Sequence, residues 1–409
     1  MRILVHDFVG HPFQVDLSRA LAARGHEVTH AYCASLTATP QGDLTLRTGD
    51  SDGLSFRPLA VPGFDRTNLV RRFTGERTYG RLLARAIGAA APDVVLSANT
   101  PLDAQAMALR ATRALRPEAH FVFWLQDLIG EATRRLLGPR LPIAGALIGR
   151  HYQALEARLL RRSDAVVAIT DDFRPVLERM KVARARVTVV ENWSPIAEVP
   201  VRAQDNAWSR AHGLAGQTAL VYTGTLGMKH DPMLLVALAE AFRDRPDVHV
   251  VVTSQGVGAE VVRAEAERRG LDRLRVAGFQ PFEAMADVMG AATVLVALLE
   301  PDAGVFSVPS KVLSYLCAAR PVLLAVPDDN LAARIVARGD GAHPAGLVVP
   351  PGHPDAFAAA ARTLLADADL RSRMGAAGRA YAERSFDIDT IADRFEAIFD
   401  GLEARADTM

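Results

Sequence analysis

The chain has 409 residues, of which 49% are apolar and 23% are charged, an ordinary globular composition. This length is too great for one hydrophobic core, so two domains are expected. The 47 basic residues balance the 47 acidic ones, so the whole-chain charge gives no indication of a nucleic-acid partner.

The compartment is indicated by the cysteines and by the N-terminus. Cys33 and Cys317 show neither a disulfide framework nor a metal-type spacing, which indicates reducing conditions. Residues 1–8 are typical of a short strand and lack the layout of a signal peptide. No apolar run reaches the roughly 18 residues that cross a bilayer. We therefore expect a cytoplasmic protein.

The first half alternates apolar strands with helices. A strand at 2–8, a helix at 15–24 and a strand at 26–33 form a βαβ opening, which is typical of a parallel sheet. This opening lacks the G-x-G-x-x-G dinucleotide fingerprint. Residues 41–77 are predicted to be irregular, with short β-like pieces. Further strands are expected at 92–97, 120–125, 164–169 and 187–190, and further helices at 78–90, 103–115 and 148–161.

The alternation pauses at a polar, proline-containing segment, 196–208, which is predicted to be a linker. Strands are then expected at 219–224, 248–253, 274–277, 294–299, 322–326 and 347–349. Helices are expected at 233–242, 259–269, 283–289, 311–319, 355–366, 375–385 and 389–406. We predict an α/β protein with two doubly wound, Rossmann-like domains, 1–195 and 209–385, whose strand ends face a central cleft.

Two junctions between a loop and a helix in the second half carry a lysine. One passes through Ser310 into Lys311, and the other passes from Gly224 and Thr225 to Lys229. Glycine allows a close backbone approach, and a lysine beside a helix start favours phosphate. We predict that the two junctions bind the two phosphates of a diphosphate. The alternative is a pair of ordinary capped helices with solvated lysines.

Three residues that follow strands of the first half are candidate ligand-binding groups. Asp127 could position a hydroxyl group or act as a base, or it could cap the next helix. Asn99 and His11 lie in similar loops and are weaker candidates, and His11 could also be a loop histidine with no role. No D-x-D motif follows a strand, the histidines show no metal spacing, and the Asp387–Asp389 pair is expected at the start of the last helix. We therefore expect no metal and no other cofactor.

An ordered set of short motifs spans nearly the whole chain. The first half contains G-H-E-V-T, P-D-V-V, F-W-L-Q-D-L, S-D-A-V-V-A-I-T and V-V-E-N-W. The second half contains Y-T-G-T-L-x-x-K, V-A-G-F-Q, P-S-K-V-L-S-Y-L-C-A-A-R-P-V-L and G-L-V-V-P-P-G. Their order and spacing resemble the family-four, GT-B-fold glycosyltransferases, and most closely the colanic-acid-biosynthesis subgroup.

This resemblance implies a retaining, metal-independent transfer of a sugar from a nucleotide-diphosphate donor. The expected acceptor is a lipid-linked glycan in polysaccharide biosynthesis, and the nucleotide sugar is a substrate and not a cofactor. The resemblance also implies that Lys229 holds the diphosphate. It further implies that segment 386–409 forms a helix that returns to the first domain.

The chain departs from the family pattern at three positions. Thr225 stands where many relatives have an arginine, and Phe306 and Ser314 stand where many have glutamates. Ser314 is expected to hold the ribose hydroxyls more weakly, with Ser310 and Lys311 as replacements. The residues expected on the donor-sugar and acceptor side are His11, Asn99, Phe306 and Ser307.

Basic residues cluster in the first half. Segment 70–87 contains five arginines and a single acid, Glu76. The arginines are Arg71, Arg72, Arg77, Arg81 and Arg85. Apolar side chains nearby are Phe73, Leu82, Leu83 and those of 141–148. Such a face is by default solvated, but it could contact anionic lipid or a lipid-linked pyrophosphate. We expect peripheral contact at the inner face of the cell membrane.

These observations predict a glycosyltransferase that adds one sugar to a glycan precursor. A second hypothesis is a sugar-nucleotide epimerase on the same fold, which the scarcity of acids in the loop before Ser310 disfavours. A third is a non-catalytic GT-B scaffold that binds glycans or partners. The absence of acids at Phe306 and Ser314 favours this third hypothesis.

Overall fold

The computed structural model describes residues 1–36, 41–65, 68–98, 101–137, 142–227, 230–301 and 308–406. The chain folds as two compact units. The first unit combines Met1–Glu191 with Ile388–Met409, and the second unit is Asn192–Asp387.

Each unit is built around one parallel sheet. The strands of the first unit are β1 (Arg2–Asp7), β2 (Glu27–Cys33), β3 (Leu54–Leu59), β4 (Val94–Ala98), β5 (His120–Leu125), β6 (Ala165–Ala168) and β7 (Val187–Val189). Those of the second unit are β8 (Thr218–Thr223), β9 (Val248–Thr253), β10 (Leu274–Ala277), β11 (Val294–Leu298), β12 (Val322–Ala325) and β13 (Gly346–Val349). Their spatial orders are β3-β2-β1-β4-β5-β6-β7 and β10-β9-β8-β11-β12-β13.

Helices connect successive strands. In the first unit these are α1 (Pro12–Ala23), α2 (Leu69–Ala90), α3 (Leu102–Leu115), α4 (Ile129–Leu137), α5 (Pro142–Arg162) and α6 (Arg174–Arg179). In the second unit they are α7 (Ala207–Ala211), α8 (Met233–Glu240), α9 (Val257–Arg269), α10 (Met285–Gly290), α11 (Lys311–Cys317), α12 (Leu331–Arg338), α13 (Pro354–Ala366) and α14 (Ala368–Ser385). The last helix, α15 (Ile388–Ala406), belongs to the first unit. The predicted α/β class with two doubly wound domains is confirmed.

The central strands read as apolar runs because both faces of each sheet are covered. Every residue of β4 and every residue of β11 is buried, as is typical of parallel strands between two layers of helices. Each sheet order reverses once beside its first strand, between β1 and β4 in the first unit and between β8 and β11 in the second. In such sheets, ligands bind beyond the carboxyl ends of the strands at the point of reversal.

Helix α2 begins earlier than the sequence analysis predicts. The helix was expected from residue 78, but it starts at Leu69. The side-chain oxygen of Asn68 accepts a hydrogen bond from the backbone N–H of Arg71 at 3.0 Å, which is the contact that an N-cap residue makes. The expectation of an irregular segment was wrong for residues 69–77, because the Asn68 cap allows the helix to begin there.

The segment predicted as a linker, 196–208, is an ordered part of the second unit. The Gln204 amide donates to the carbonyl of Gln217 and to the hydroxyl of Thr293, both at 2.9 Å. Asn206 donates to the carbonyl of Asp287 at 2.8 Å. The unit boundaries therefore lie after Glu191 and after Asp387, whereas the sequence analysis puts them near 195 and 385.

Helix α15 packs against α1 and the end of β5. Arg24, just after α1, donates to Asp393 at 2.5 Å, to Glu396 at 2.6 Å and to the carbonyl of Asp389 at 2.8 Å. The ring centroids of Phe395 and Trp124 lie 4.9 Å apart, edge to face. Helix α15 thus completes the core behind the end of β5. In the described part of the chain, no helix has both the length and the apolar character needed to cross a membrane.

Candidate functional site

The loop after β8 and the start of α11 meet at the reversal point of the second sheet. Gly224 follows β8 with a φ of 92°, a conformation that glycine adopts without strain. A Cβ atom at this position would lie 3.7 Å from Cε of Lys311. The structure thus brings together Gly224, Thr225 and Lys311. Asn99, Lys229, Phe306 and Ser307 lie outside the described residues.

The ammonium group of Lys311 is held by β8 and its loop. It donates to the hydroxyl of Tyr222 and, at 3.3 Å, to the carbonyl of Thr225. It also lies 3.8 Å from the centroid of the Tyr222 ring, within the range of a cation–π contact. The Tyr222 hydroxyl in turn donates to the carbonyl of Thr225 at 2.8 Å.

This environment lowers the pKa of Lys311. Burial brings the pKa of its ammonium group to about 7, because surrounding protein atoms replace part of the hydration of the charge. The side chain is nevertheless only half-buried, so a solute can reach it. An anion bound there would raise the pKa again and would find the cation already in position.

The two serines near Lys311 behave differently from each other. Ser310 occupies the N-cap position of α11 and is exposed, but its hydroxyl does not cap the described first turn. The backbone of Ser310 is helical, with a φ of −57° and a ψ of −26°, whereas a capping serine normally has an extended backbone. The Ser314 hydroxyl lies 3.0 Å from the hydroxyl of Ser194, which turns it toward the first segment of the second unit.

In the first unit, Asp7 and His11 form an ion pair at the carboxyl end of β1. Asp7 is fully buried and accepts from the backbone N–H groups of Val9, at 3.0 Å, and His11. Nδ1 of His11 lies 3.1 Å from the same carboxylate. Burial alone would lower the pKa of His11, but the Asp7 carboxylate, with a smaller contribution from Asp127, raises it above its usual value. The imidazole therefore favours its charged form.

Asp127 lies at the carboxyl end of β5, half-buried, just before α4. The first N–H groups of α4 donate to another residue, Glu156 of α5, whose carboxylate accepts from Ile129 at 2.8 Å and from Gly130 at 3.1 Å. Glu156 is fully buried, and this burial, reinforced by the charge of Asp127, raises its pKa to about 8. Glu156 therefore fixes the backbone that follows Asp127.

The sequence matches two domain families, and these matches identify the enzyme class of the chain. The glycosyl transferase 4-like domain matches residues 11–193, and the glycosyl transferases group 1 domain matches residues 217–367. The chain is a glycosyltransferase. The enzyme class predicted from the motifs is therefore confirmed. No curated protein matches the sequence.

Solved structures that resemble this glycosyltransferase share its fold. Sucrose-phosphate synthase from Thermosynechococcus elongatus is 17% identical, with a TM-score of 0.75 over 98% of this chain and 99% of that one. HepE from Anabaena, in complex with UDP and glucose, is 16% identical, with a TM-score of 0.71 over 98% and 100%. WaaG, a glycosyltransferase involved in lipopolysaccharide biosynthesis, is 18% identical, with a TM-score of 0.67 over 98% and 100%. At these identities the similarity supports the GT-B fold alone.

The structure adds three residues that the sequence analysis did not single out for this glycosyltransferase. Asp7 orients His11. The adjacent residues His6 and Asp7 at the end of a strand are a sequence signal that could have identified it. Tyr222 contacts Lys311, although it reads as an ordinary strand residue. Glu156 gave no signal, because it lies inside a helix and reaches α4 only through the tertiary fold.

The arginines of α2 are exposed, as the sequence analysis predicts for a charged face. Arg77 lies 4.4 Å from the centroid of the exposed Phe73 ring. Leu83, expected to supply apolar contact, is instead fully buried in the core of the first unit, because it falls on the opposite face of the helix. Among the described residues of α5, large exposed apolar side chains include Ile143, Leu147 and Ile148.

We predict that Glu156→Gln removes a pH dependence of stability. A carboxyl whose folded pKa is raised from 4.5 to about 8 stabilises the fold fully below pH 4.5 and loses that contribution as pH rises through 8. The unfolding free energy of the first unit should fall by about 2–4 kcal/mol between pH 5 and pH 9 in the unmodified chain, and by less in the variant. Pulsed hydrogen exchange of first-unit peptides across a urea series measures this difference.

Glu131→Gln is the matched control for that measurement. Glu131 is also buried, but Arg134 and Arg135 overcome the effect of burial and bring its pKa to about 2. Its contribution is present above pH 4.5 and is lost only in acid, so this variant should follow the pH slope of the unmodified chain. Parallel slopes for all three proteins would show that Glu156 is ionised throughout.

Proposed function

We propose that this glycosyltransferase moves a sugar from a nucleotide-diphosphate donor to a lipid-linked glycan in polysaccharide biosynthesis, with retention and without a metal. The observation that carries the proposal is the Lys311 ammonium group, held beside Gly224 and Thr225 at the reversal point of the second sheet. The motif resemblance to the colanic-acid-biosynthesis subgroup supports it. So does HepE, which has been described in complex with UDP and with UDP-glucose.

The donor diphosphate is proposed to bind the loop after β8. Gly224 carries no side chain between its backbone and Lys311, so a phosphate oxygen can approach both. The ammonium group then offsets the charge that develops on the diphosphate as the bond to the sugar breaks. Lys229 is proposed to supply a second cation, and Thr225 a weaker contact than the arginine of many relatives.

The nucleoside and the sugar are proposed to occupy the surroundings of this loop. Ser314 and its partner Ser194 offer two hydroxyls for the ribose, in place of the usual glutamate. Ser310, exposed beside Lys311, offers a third. Phe306 and Ser307 remain the expected contacts of the donor sugar.

The acceptor is proposed to bind the first unit through Asp127, His11 and Asn99. The acceptor oxygen forms a bond to the anomeric carbon while the bond from that carbon to the diphosphate breaks, and the departing phosphate takes the hydroxyl proton. Asp127 would hold that hydroxyl in position, and the charged His11 would hold an anionic part of the acceptor. The raised pKa of His11 suits this part, because it favours the charged form of the imidazole.

We predict that Lys311→Met weakens the nucleotide-sugar Kd by about 10- to 100-fold. Methionine keeps the apolar stem and removes the charge. The Kd of the unmodified enzyme should also weaken as pH rises through 7, because Lys311 loses its proton there, and this pH dependence should vanish in the variant. Calorimetry with UDP-, GDP-, ADP- and dTDP-sugars measures both effects.

Lys181→Met is the matched control, since Lys181 is an exposed lysine of the first unit. Its donor Kd should equal that of the unmodified enzyme. A Lys311→Met enzyme that binds every nucleotide sugar normally would remove Lys311 from the site. Donor consumption in the absence of any acceptor would favour the epimerase.

We predict that Asp127→Asn lowers kcat by about 100-fold with little change in donor Kd, because a misplaced hydroxyl slows transfer and not donor binding. Asp171→Asn is the control, since Asp171 is an exposed acid after the neighbouring strand β6. The assay contains EDTA, and NMR reads the anomeric configuration of the product. Normal kcat in Asp127→Asn, loss of transfer in EDTA or an inverted product would each contradict one part of the proposal.

Contact with an anionic membrane is proposed for a basic–apolar surface formed by Arg71, Arg72, Phe73 and Arg77 of α2 with Ile143, Leu147 and Ile148 of α5. Asp103 joins the two helices, because it lies 3.8 Å from Arg77 and accepts from Tyr152 of α5 at 3.0 Å. Ile143 is 80% exposed and Leu147 is 61% exposed. Apolar side chains at such exposure beside arginines suit the boundary between head groups and acyl chains. Arg81 and Arg85 extend the charge along α2.

We predict that Ile143→Ser with Leu147→Ser reduces binding to vesicles of phosphatidylglycerol and phosphatidylcholine by about fivefold or more, because two buried side chains leave the bilayer. Val257→Ser with Val261→Ser, two exposed valines on α9, is the control and should bind normally. Sedimentation of the full chain with vesicles, at low and high salt, gives the measurement. Equal binding by both double variants would remove the membrane from the proposal.

A further inference from the structure

Tyr222 is a buried residue whose hydroxyl reaches the surface site. Its side chain is fully buried beneath the loop that follows β8, and burial raises the pKa of its phenol well above the usual value. The phenol is therefore neutral and has one proton to donate. That proton goes to the carbonyl of Thr225 at 2.8 Å, and the oxygen accepts from Lys311.

These contacts hold in place the two parts of the proposed donor site, which are Lys311 and the loop after β8. The Tyr222 ring lies under the Lys311 ammonium, with 3.8 Å between the nitrogen and the ring centroid, and the hydroxyl joins the same ammonium to the loop. Within the described part of the chain, two of the three N–H groups of Lys311 donate to Tyr222 and Thr225. The third is the group that a phosphate oxygen would accept from.

A lysine held in this way binds an anion at a smaller entropic cost. A free lysine side chain has four rotatable bonds and loses conformational entropy when it is fixed. If that cost is met during folding, the ligand does not have to meet it on binding. The contact also prevents the Thr225 loop and Lys311 from moving apart.

We propose that Tyr222 is a positioning residue for the donor diphosphate, acting through the Lys311 ammonium group that it holds. The inference rests on the proposed function, because it takes the ligand of Lys311 to be the donor. It goes further in assigning the geometry of the site to a buried phenol that touches no substrate.

Tyr315 supplies a matched control within the same core. It is also fully buried, on α11, and its hydroxyl accepts from the backbone N–H of Thr223 at 2.9 Å and donates to the carbonyl of Val296 at 3.2 Å. These contacts join β8, β11 and α11 without touching the Lys311 ammonium. Loss of the Tyr315 hydroxyl should therefore affect stability, and loss of the Tyr222 hydroxyl should affect donor binding.

The experiment compares Tyr222→Phe with Tyr315→Phe in the full-length enzyme. Tyr222→Phe keeps the ring and should weaken the nucleotide-sugar Kd by about three- to tenfold, the effect of losing one hydrogen bond of average strength. Its kcat at saturating donor should stay within about twofold, because the reacting atoms are not touched. The pH at which the Kd of this variant weakens should also differ from that of the unmodified enzyme. Tyr315→Phe should lower the melting temperature and keep Kd within about twofold.

A double variant tests whether Tyr222 acts through Lys311. Adding Tyr222→Phe to Lys311→Met should weaken the Kd no further, since the group that Tyr222 positions is already absent. An additional loss equal to that of Tyr222→Phe alone would overturn the inference. So would an unchanged Kd in Tyr222→Phe, or equal losses in Tyr222→Phe and Tyr315→Phe. An unchanged Kd in Lys311→Met would instead reject the donor site itself, so the two failures are distinguishable.

Discussion

Both sheets are covered on each face, and this burial decides where chemistry can take place. A strand such as β11, with all its residues buried, leaves no room for an unpaired polar side chain along its length. Polar side chains can therefore reach solvent only beyond the ends of such strands. His11 and Asp127 follow β1 and β5, and Gly224 follows β8, as this constraint requires. Lys311 reaches the same edge from the helix that follows the neighbouring strand.

The charges near those edges are compensated to different degrees. Asp7 has a cation and backbone N–H groups around it, and the pKa of its carboxyl is lowered although burial would raise it. The charges of Lys311 and Glu156 are compensated mainly by neutral dipoles. The pKa of each is therefore shifted in the direction that favours its neutral form. Lys311 and Glu156 differ in their access to solvent. Lys311 is half-buried and can meet an anion, whereas Glu156 is sealed against α4.

The sequence could predict the fold because strand and helix periods repeat along the chain and each element carries its own signal. It could also point to Lys311, since a serine and a lysine after a proline-containing loop mark a helix start. Glu156 lies 27 residues from Ile129, and Tyr222 lies 89 residues from Lys311. Such pairs depend on how helices and strands are stacked, and no local pattern encodes that. The segment 196–208 was misjudged for a related reason, because its polar side chains bond to distant backbone.

The first unit is discontinuous in the chain, since α15 follows the whole of the second unit. The ring of Phe395 packs against Trp124, and the ring of Phe399 packs against Phe395. During synthesis on the ribosome, residues 1–191 therefore emerge long before the side chains that close their core. The second unit, which is continuous, can reach its final packing first, whereas the core of the earlier-made first unit stays incomplete until α15 is translated.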